Sequence, residues 1–118
     1  MVAAILDLND DRIIEQGSRW EMGLRYPGDV TGASIRAEIR KHHQGELIAT
    51  IRSLPAQFDE ETNQTAFLLF LNAGLTEKIP VPPAGEFWLY DLLIYLPGQE
   101  PRRLLKGRVF VDAGITNV

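Results

Sequence analysis

The chain has 118 residues, of which 45% are hydrophobic and 24% charged, and its formal net charge is −4 at pH 7. This length fits a single domain over residues 1–118 that buries about 65% of the surface of its unfolded chain, and the composition excludes a disordered or fibrous protein. The absence of cysteine excludes disulfides, thiolate catalysis and cysteine-based zinc sites, and the negative charge argues against nucleic acid and anionic membranes as partners.

The N-terminal segment MVAAILDLNDDR lacks the basic start and the complete apolar run of a signal peptide. The two longest apolar runs, AFLLFL and FWLYDLLIYL, are shorter than the roughly 20 residues that a transmembrane helix needs. We therefore expect a protein that is made and used in an aqueous compartment, without a membrane partner.

Alternation of apolar and polar residues, which is the period of β-strands, runs through much of the chain. It predicts a first long strand over residues 20–26, which ends at Pro27 and Gly28. Before this strand, residues 5–8 and 13–14 are expected to add edge pairing.

The middle of the chain continues with the same period. Residues 33–53 are expected to form a hairpin that turns around residues 41–45. Residues 55–64 are predicted to be a polar loop, and residues 65–72 a strand that is apolar on both faces and needs cover on both sides.

The last third begins with residues 73–78, which are predicted to form one helical turn. Three prolines in residues 79–83 exclude a helix interior and a central strand there. Two further strands, at residues 86–96 and 103–112, are predicted to pair through a turn at Pro97-Gly98. Six or seven short strands favour an all-β antiparallel sandwich or a small barrel.

The strand at residues 86–96 is the most apolar part of the chain and is apolar on both faces. One face has no polar break and is predicted to join the core; it comprises Trp88, Tyr90, Leu92, Ile94 and Leu96. The other face contains Phe87, Leu89, Asp91, Leu93 and Tyr95. Because an apolar face of this size is usually covered, we expect either the chain's own N-terminal segment or another subunit to cover it. The candidate interface residues are Phe87, Trp88, Leu89, Leu93, Tyr95, Arg103 and Phe110.

Asp91 is the one acid in this strand and needs a basic partner if it is buried. Arg36, Arg40, Arg103 or Arg108 could supply one across the sheet, and an Asp beside Arg keeps its charge. We therefore predict that Asp91 is a structural anchor, with Arg36 and Arg40 as candidate partners, and that it is not a general acid.

No motif points to catalysis or to a cofactor. His42 and His43, the only histidines, sit in a predicted turn without further ligands at a recognised spacing. The acidic run Asp59-Glu60-Glu61 lacks the alternate oxygens and the glycine of a calcium loop. We predict a solvated turn and a charged loop, no metal and no cofactor.

Several short motifs, taken in order, resemble a known family. The matching pieces span residue 13 to the C-terminus: Gln16-Gly17 before the first long strand, Val30-Thr31-Gly32 leading into Ile35-Arg36-Ala37-Glu38-Ile39-Arg40, Pro83-Ala84-Gly85 leading into Tyr90-Asp91-Leu92, Arg103-Leu104-Leu105-Lys106-Gly107-Arg108-Val109, and Ile115-Thr116. In this order they resemble small tail or baseplate-associated proteins of tailed bacteriophages and prophages, including the N-terminal module of siphophage upper-baseplate proteins.

The resemblance implies an immunoglobulin-like β-sandwich of about six to eight short strands. It also implies a non-enzymatic structural part of a virion, made in the host cytoplasm, that has no cofactor and acts by contacts with other virion proteins, either as a homo-oligomer or as an adaptor. Gly85 and Tyr90 are one residue further apart than in the family pattern, which predicts a bulge or an altered turn near residues 86–88.

Two alternatives remain open. One is a capsid decoration or cement protein, since immunoglobulin-like sandwiches occur at many stations of a virion and the fold does not select among them. The other is a module that binds glycans or a host surface, with Trp88, Tyr95 or Phe87 as a stacking platform.

Overall fold

The protein is represented by a computed structural model that describes residues 4–42 and 44–113. These residues form ten strands, one short α-helix and a 3-10 turn at Asp10–Arg12. The strands and the helix are β1 (Ala4–Ile5), β2 (Ile14–Glu15), β3 (Trp20–Pro27), β4 (Ser34–Arg40), β5 (Leu47–Ser53), β6 (Gln57–Asp59), β7 (Gln64–Leu71), α1 (Ala73–Glu77), β8 (Trp88–Tyr95), β9 (Arg102–Val109) and β10 (Val111–Asp112).

Eight of these strands form one sheet, with the order β1-β9-β8-β4-β5-β7-β3 and with β6 paired alongside β7. All pairs in this sheet are antiparallel except β1 with β9, and β2 forms a separate parallel pair with β10. The predicted all-β class is confirmed. The sheet is mixed and not antiparallel throughout, because the N-terminal segment runs alongside β9 in the same direction.

The sheet curls at β5, which changes partner along its length. The start of β5 pairs with β4, whereas at its end Ser53 pairs with Leu69 of β7 and Arg52 faces Arg36 of β4 on one side and Phe70 of β7 on the other. The buried side chains of both halves of this curled sheet belong to one hydrophobic core.

The core follows the alternation of the strands. In β7 and β8 every second residue is buried, and Leu69, Leu92 and Ile94 have 0% exposure. Burying one such side chain stabilises the fold by about 1.5 to 3 kcal/mol. The predicted core face of residues 88–94 is confirmed, and Leu96 packs half-buried at its margin.

The hairpin predicted at residues 33–53 is confirmed as β4 and β5, and the turn is closed by Gly45 N–H donating to His42 O at 2.7 Å. The polar loop predicted at residues 55–64 is wrong in part, because β6 pairs there with the start of β7. The connection is a tight turn in which Asn63 has φ +52°, a conformation that Asn tolerates better than most residues.

The predicted helical turn is confirmed as α1. The Asn72 side chain caps it by accepting a hydrogen bond from Leu75 N at 2.9 Å. Thr76 in this helix is fully buried, and its hydroxyl accepts from Gly17 N at 3.1 Å and donates to Ser18 O at 2.8 Å. The helix therefore fixes the start of β3 through one side chain.

The connection into β8 is a turn at residues 83–86, where Glu86 N donates to Pro83 O at 2.9 Å and Gly85 has φ +80°. The positive φ requires glycine at the third position of this turn. The turn delivers Trp88 to the core face. The register shift of the β8–β9 pair lies between Leu92 and Leu93, further along β8 than the irregularity expected near residues 86–88.

Candidate interaction surface

Three neighbouring strands, β4, β8 and β9, turn a mixed face away from the core, and we call it the outer face. Their register places the outward side chains in rows. The middle row joins Glu38, Asp91 and Lys106. The flanking rows are Arg36, Leu93 and Arg103 on one side, and Arg40, Leu89 and Arg108 on the other.

Asp91 forms an ion pair with Arg103, whose Nε lies 3.2 Å from Asp91 Oδ1. Residues two apart in a regular strand point to the same face, so Arg103 would point toward the core like the buried Leu105 if β9 were regular. The register shift leaves Leu104 without a partner in β8, and such a β-bulge reverses the direction of the residues beyond it. The bulge thus places Arg103 on the outer face, diagonal to Asp91.

Arg36 and Arg40, which the sequence offered as partners for Asp91, pair with Glu38 instead. Arg36 Nη2 lies 3.2 Å from Glu38 Oε2, and Arg40 Nη2 lies 2.9 Å from Glu38 Oε1. Glu38 stands directly opposite Asp91 in the sheet, where two like charges repel each other. The surrounding arginines offset this repulsion.

We expect Asp91→Asn to change the free energy of unfolding by less than about 1 kcal/mol. The side chains of Arg103 and Asp91 are 45% and 35% exposed to solvent, so water already solvates both charges. A double-mutant cycle with Arg103→Gln, measured by urea unfolding, checks this. A loss of about 3 kcal/mol or more would mean that the pair behaves as a buried one.

Arg108 is held by the N-terminal segment. Asp7 Oδ1 accepts from the backbone N of Arg108 at 2.9 Å, and Asp7 Oδ2 accepts from its Nε at 3.1 Å and its Nη2 at 2.6 Å. The hydrogen bonds from the Arg108 side chain, followed by the one from its backbone N–H, lower the pKa of Asp7. The same contact raises the pKa of Arg108.

The three hydrogen bonds between Asp7 and Arg108, which we call the Asp7 clamp, predict a contribution to stability that is lost in acid. Since the folded-state pKa of Asp7 is lowered, its contribution is present above the unfolded pKa near 3.9 and is lost as the pH falls through the folded pKa. We expect wild type to exceed Asp7→Asn in unfolding free energy at pH 7 and the two to converge below about pH 4. The exposed Glu60→Gln is the control for removing one surface charge. A difference between wild type and Asp7→Asn that stays constant down to pH 2 would contradict the clamp.

Two aromatic rings flank Arg108. Its guanidinium carbon lies 5.4 Å from the ring centroid of Phe87 and 5.6 Å from that of Phe110, and the two centroids are 6.0 Å apart. Cations at this distance are attracted by the ring faces. Asp7, Arg108 and the two rings therefore form a cluster at the margin of the outer face, and we count the two rings as part of that face.

The candidate interface residues do not all lie together. Leu89, Leu93 and Arg103 are on the outer face, whereas Trp88 is buried and its indole N–H donates to Pro80 O at 2.7 Å. Placing Trp88 in an interface is therefore wrong, because its ring is used within the core. Phe87 precedes β8, and Tyr95 ends it.

A cleft of about 380 Å³ opens on the outer face, between the N-terminal segment and the β4–β5 hairpin. Ile5 and Leu89 give it apolar walls, and the acids Asp7, Glu38 and Asp91 line it together with basic residues. Each of these acids contacts an arginine. Such neutralised charges suit contact with a polar protein surface.

The polar groups singled out for metals are dispersed. Within residues 4–42 and 44–113, no group of three or more His, Asp or Glu could hold a metal ion. Asp59 accepts from Glu61 N at 3.0 Å and lies 3.7 Å from Arg25. His43 lies outside the described residues.

The N-terminal segment, which the sequence offered as one possible cover of this face, lies beside it, but its specific contacts were not predicted. Tyr90, whose pKa is raised by burial, donates its hydroxyl hydrogen to Leu6 O at 2.5 Å. Gly107, opposite Tyr90 in the sheet, is where this segment approaches most closely. An isolated glycine within a strand is the signal that indicates such an approach.

No helix in the described part of the chain is long and apolar enough to cross a membrane. The comparisons with known proteins give no family: no family model matches the chain, and no curated protein is found to be similar to it.

Proposed function

We propose that this chain is a non-enzymatic structural component of a bacteriophage virion, in the tail, baseplate or neck. It acts as an assembly or adaptor module through contacts with other virion proteins and with its own copies, and it uses no cofactor. The protein is made in the host cytoplasm and resides in the virion.

The outer face is the observation that carries the assembly role. Phe87 and Tyr95 keep 37% and 38% of their exposure, and the half-buried Leu89 and Leu93 lie between them in the chain. Aromatic residues and arginine dominate the binding energy of protein interfaces. Asp7 already orders Arg108, so less side-chain entropy is lost when a partner binds.

The phage context rests on the resemblance of the short motifs, and several of these motifs make specific contacts in the fold. Gly17 N donates to Thr76 Oγ1, and Val30 N donates to Thr65 Oγ1 at 2.9 Å. Gly85 makes the turn into β8, and Gly107 admits the N-terminal segment. The motifs thus sit where the chain must make specific connections.

An immunoglobulin-like sandwich is the finer fold that we propose within the curled sheet. In this reading, β1, β9, β8 and β4 form one layer and β6, β7 and β3 the other, and β5 belongs to both. Strands that change layer are typical of the corners of sandwiches.

The role of the outer face is tested by measuring how much of each variant protein is incorporated into purified particles. We expect Phe87→Ser to reduce the amount of protein in purified particles by about tenfold, while Leu75→Ser on α1, which has a similar exposure of 44%, leaves it unchanged. Both variants should fold by circular dichroism. Equal incorporation of the two variants would exclude the outer face as the contact.

The alternative of a capsid decoration protein would use the same face, and immunogold labelling of particles separates it from a tail protein.

The glycan-binding alternative has less support. Phe87 and Tyr95 are eight residues apart, about 26 Å along an extended strand, and Trp88 is buried. These rings therefore do not form one stacking platform.

A further inference from the structure

The strand β3 (Trp20–Pro27) is an open edge of the sheet. It pairs with β7 over its whole length on one side, and no strand within residues 4–42 and 44–113 pairs with its other side. An edge of eight residues presents a row of free backbone donors and acceptors, which is a template for another strand.

The backbone groups that face this edge can be assigned from the register. Gly28 N donates to Asn63 O at 2.8 Å, and the β3–β7 register is unbroken from Trp20 to Pro27. The direction of backbone hydrogen bonds alternates along a strand. The even-numbered residues of β3 therefore bond to β7. The odd-numbered residues Glu21, Gly23 and Arg25 direct their N–H and C=O groups outward. Pro27 belongs to the outward set, where its missing N–H breaks no bond of the sheet.

The side chains along this edge are self-complementary. In an antiparallel pair centred on Gly23, Glu21 stands opposite Arg25 of the partner subunit, and Met22 stands opposite Leu24 of the partner subunit. We propose that a second copy of this chain binds here, through two-fold antiparallel pairing of Glu21–Arg25 that extends the sheet across a dimer. The Trp20 indole N–H donates to Arg12 O in the 3-10 turn at 2.8 Å, so we place the pairing beyond this end of the strand, over Glu21–Arg25.

The geometry at the centre permits close approach. Gly23 is exposed, and a Cβ built on it would meet nothing within 4 Å. In the pairing, the two Gly23 residues exchange both backbone hydrogen bonds. Glu21 and Arg25 now form ion pairs of 3.2 and 3.7 Å with Arg19 and Asp59, and such exposed pairs exchange partners at little cost.

This dimer contact specifies how copies of the proposed assembly module would associate with one another, and it rests on that proposal. It uses the β3 edge of the sheet, whereas the contact with other virion proteins uses the outer face. The outer-face variant Phe87→Ser should therefore leave the dimer intact. Loss of virion incorporation and loss of dimerisation are separate results, so either proposal can fail alone.

Sedimentation velocity over a concentration series up to about 1 mM tests the dimer. We expect a reversible monomer–dimer equilibrium in wild type. Gly23→Pro removes the central outward N–H without touching the bonds to β7, and should raise the dissociation constant at least about tenfold. Gly23→Ala keeps the N–H and should retain the dimer.

Charge reversal gives a second test that does not depend on proline. Glu21→Arg and Arg25→Glu each place like charges opposite one another twice, and each should weaken the dimer about tenfold. The double variant restores opposite charges and should recover most of the affinity, while Arg102→Glu on β9 should have no effect. A monomer at every concentration, or a dimer that all these variants leave unchanged, would overturn the proposal.

Discussion

Replacing Gly107 by alanine is expected to lower the free energy of unfolding by about 3 kcal/mol. A Cβ at this position would lie 2.3 Å from Leu6 O and 2.8 Å from Leu6 C. These are backbone atoms, so the N-terminal segment must move as a unit. Its displacement would also strain the hydrogen bond from Tyr90 and expose Leu8, which is fully buried.

The matched control is Gly23→Ala, in a strand where the new methyl group meets nothing within 4 Å. Alanine restricts the unfolded chain more than glycine does, so this variant should be neutral or slightly stabilising. Urea unfolding of both variants provides the measurement. Equal stabilities would show that the N-terminal segment does not pack on Gly107.

Thr76→Val is expected to lower the free energy of unfolding by about 1 kcal/mol. Valine has nearly the same shape, so the core stays filled, but Gly17 N–H and Ser18 C=O lose the hydroxyl that they share. Gly17 and Ser18 are themselves exposed, so water can take the place of the hydroxyl and the expected cost is that of the lost hydrogen bonds alone.

Thermal and urea unfolding should show this loss for Thr76→Val and almost none for Thr50→Val, on the half-exposed side of β5. The amide of Gly17 should also exchange faster with solvent in Thr76→Val. An unchanged exchange rate at Gly17 would contradict the role assigned to this hydroxyl.

The strands were predictable where local period decides them. Alternation identified β3, β4, β5 and β8, because one buried face imposes a period of two on each sequence. It also placed Leu92 and Ile94 in the core correctly. The three prolines at residues 79–83 correctly excluded a helix interior and a central strand there, because the proline ring restricts the backbone and removes a hydrogen-bond donor.

The remaining features depend on contacts that are distant in sequence. Asp7 and Arg108 are 101 residues apart, and no periodicity relates them. The parallel pairing of β1 with β9 has the same cause. The strand β6 was missed because three paired residues in a polar segment carry too little pattern to distinguish a strand from a loop.

The candidate site shows the same division. The face shared by Leu89, Asp91 and Leu93 follows from alternation. The choice of Arg103 among four possible arginines does not follow from it, because the bulge at Leu104 changes which side of β9 Arg103 occupies. Alternation also places Trp88 on the same face as the buried Leu92, so its burial was predictable. Its hydrogen bond to Pro80, which fixes the ring in the core, was not.

Cross-linking mass spectrometry of purified virions tests the central claim most directly. Lys106 lies exposed on the outer face, and Lys78 follows α1 at another part of the surface. The proposal predicts that the protein is present in the particles and that Lys106 forms cross-links to another virion protein more often than Lys78 does. Particles that lack the protein, although the host that assembles them expresses it, would contradict the proposal.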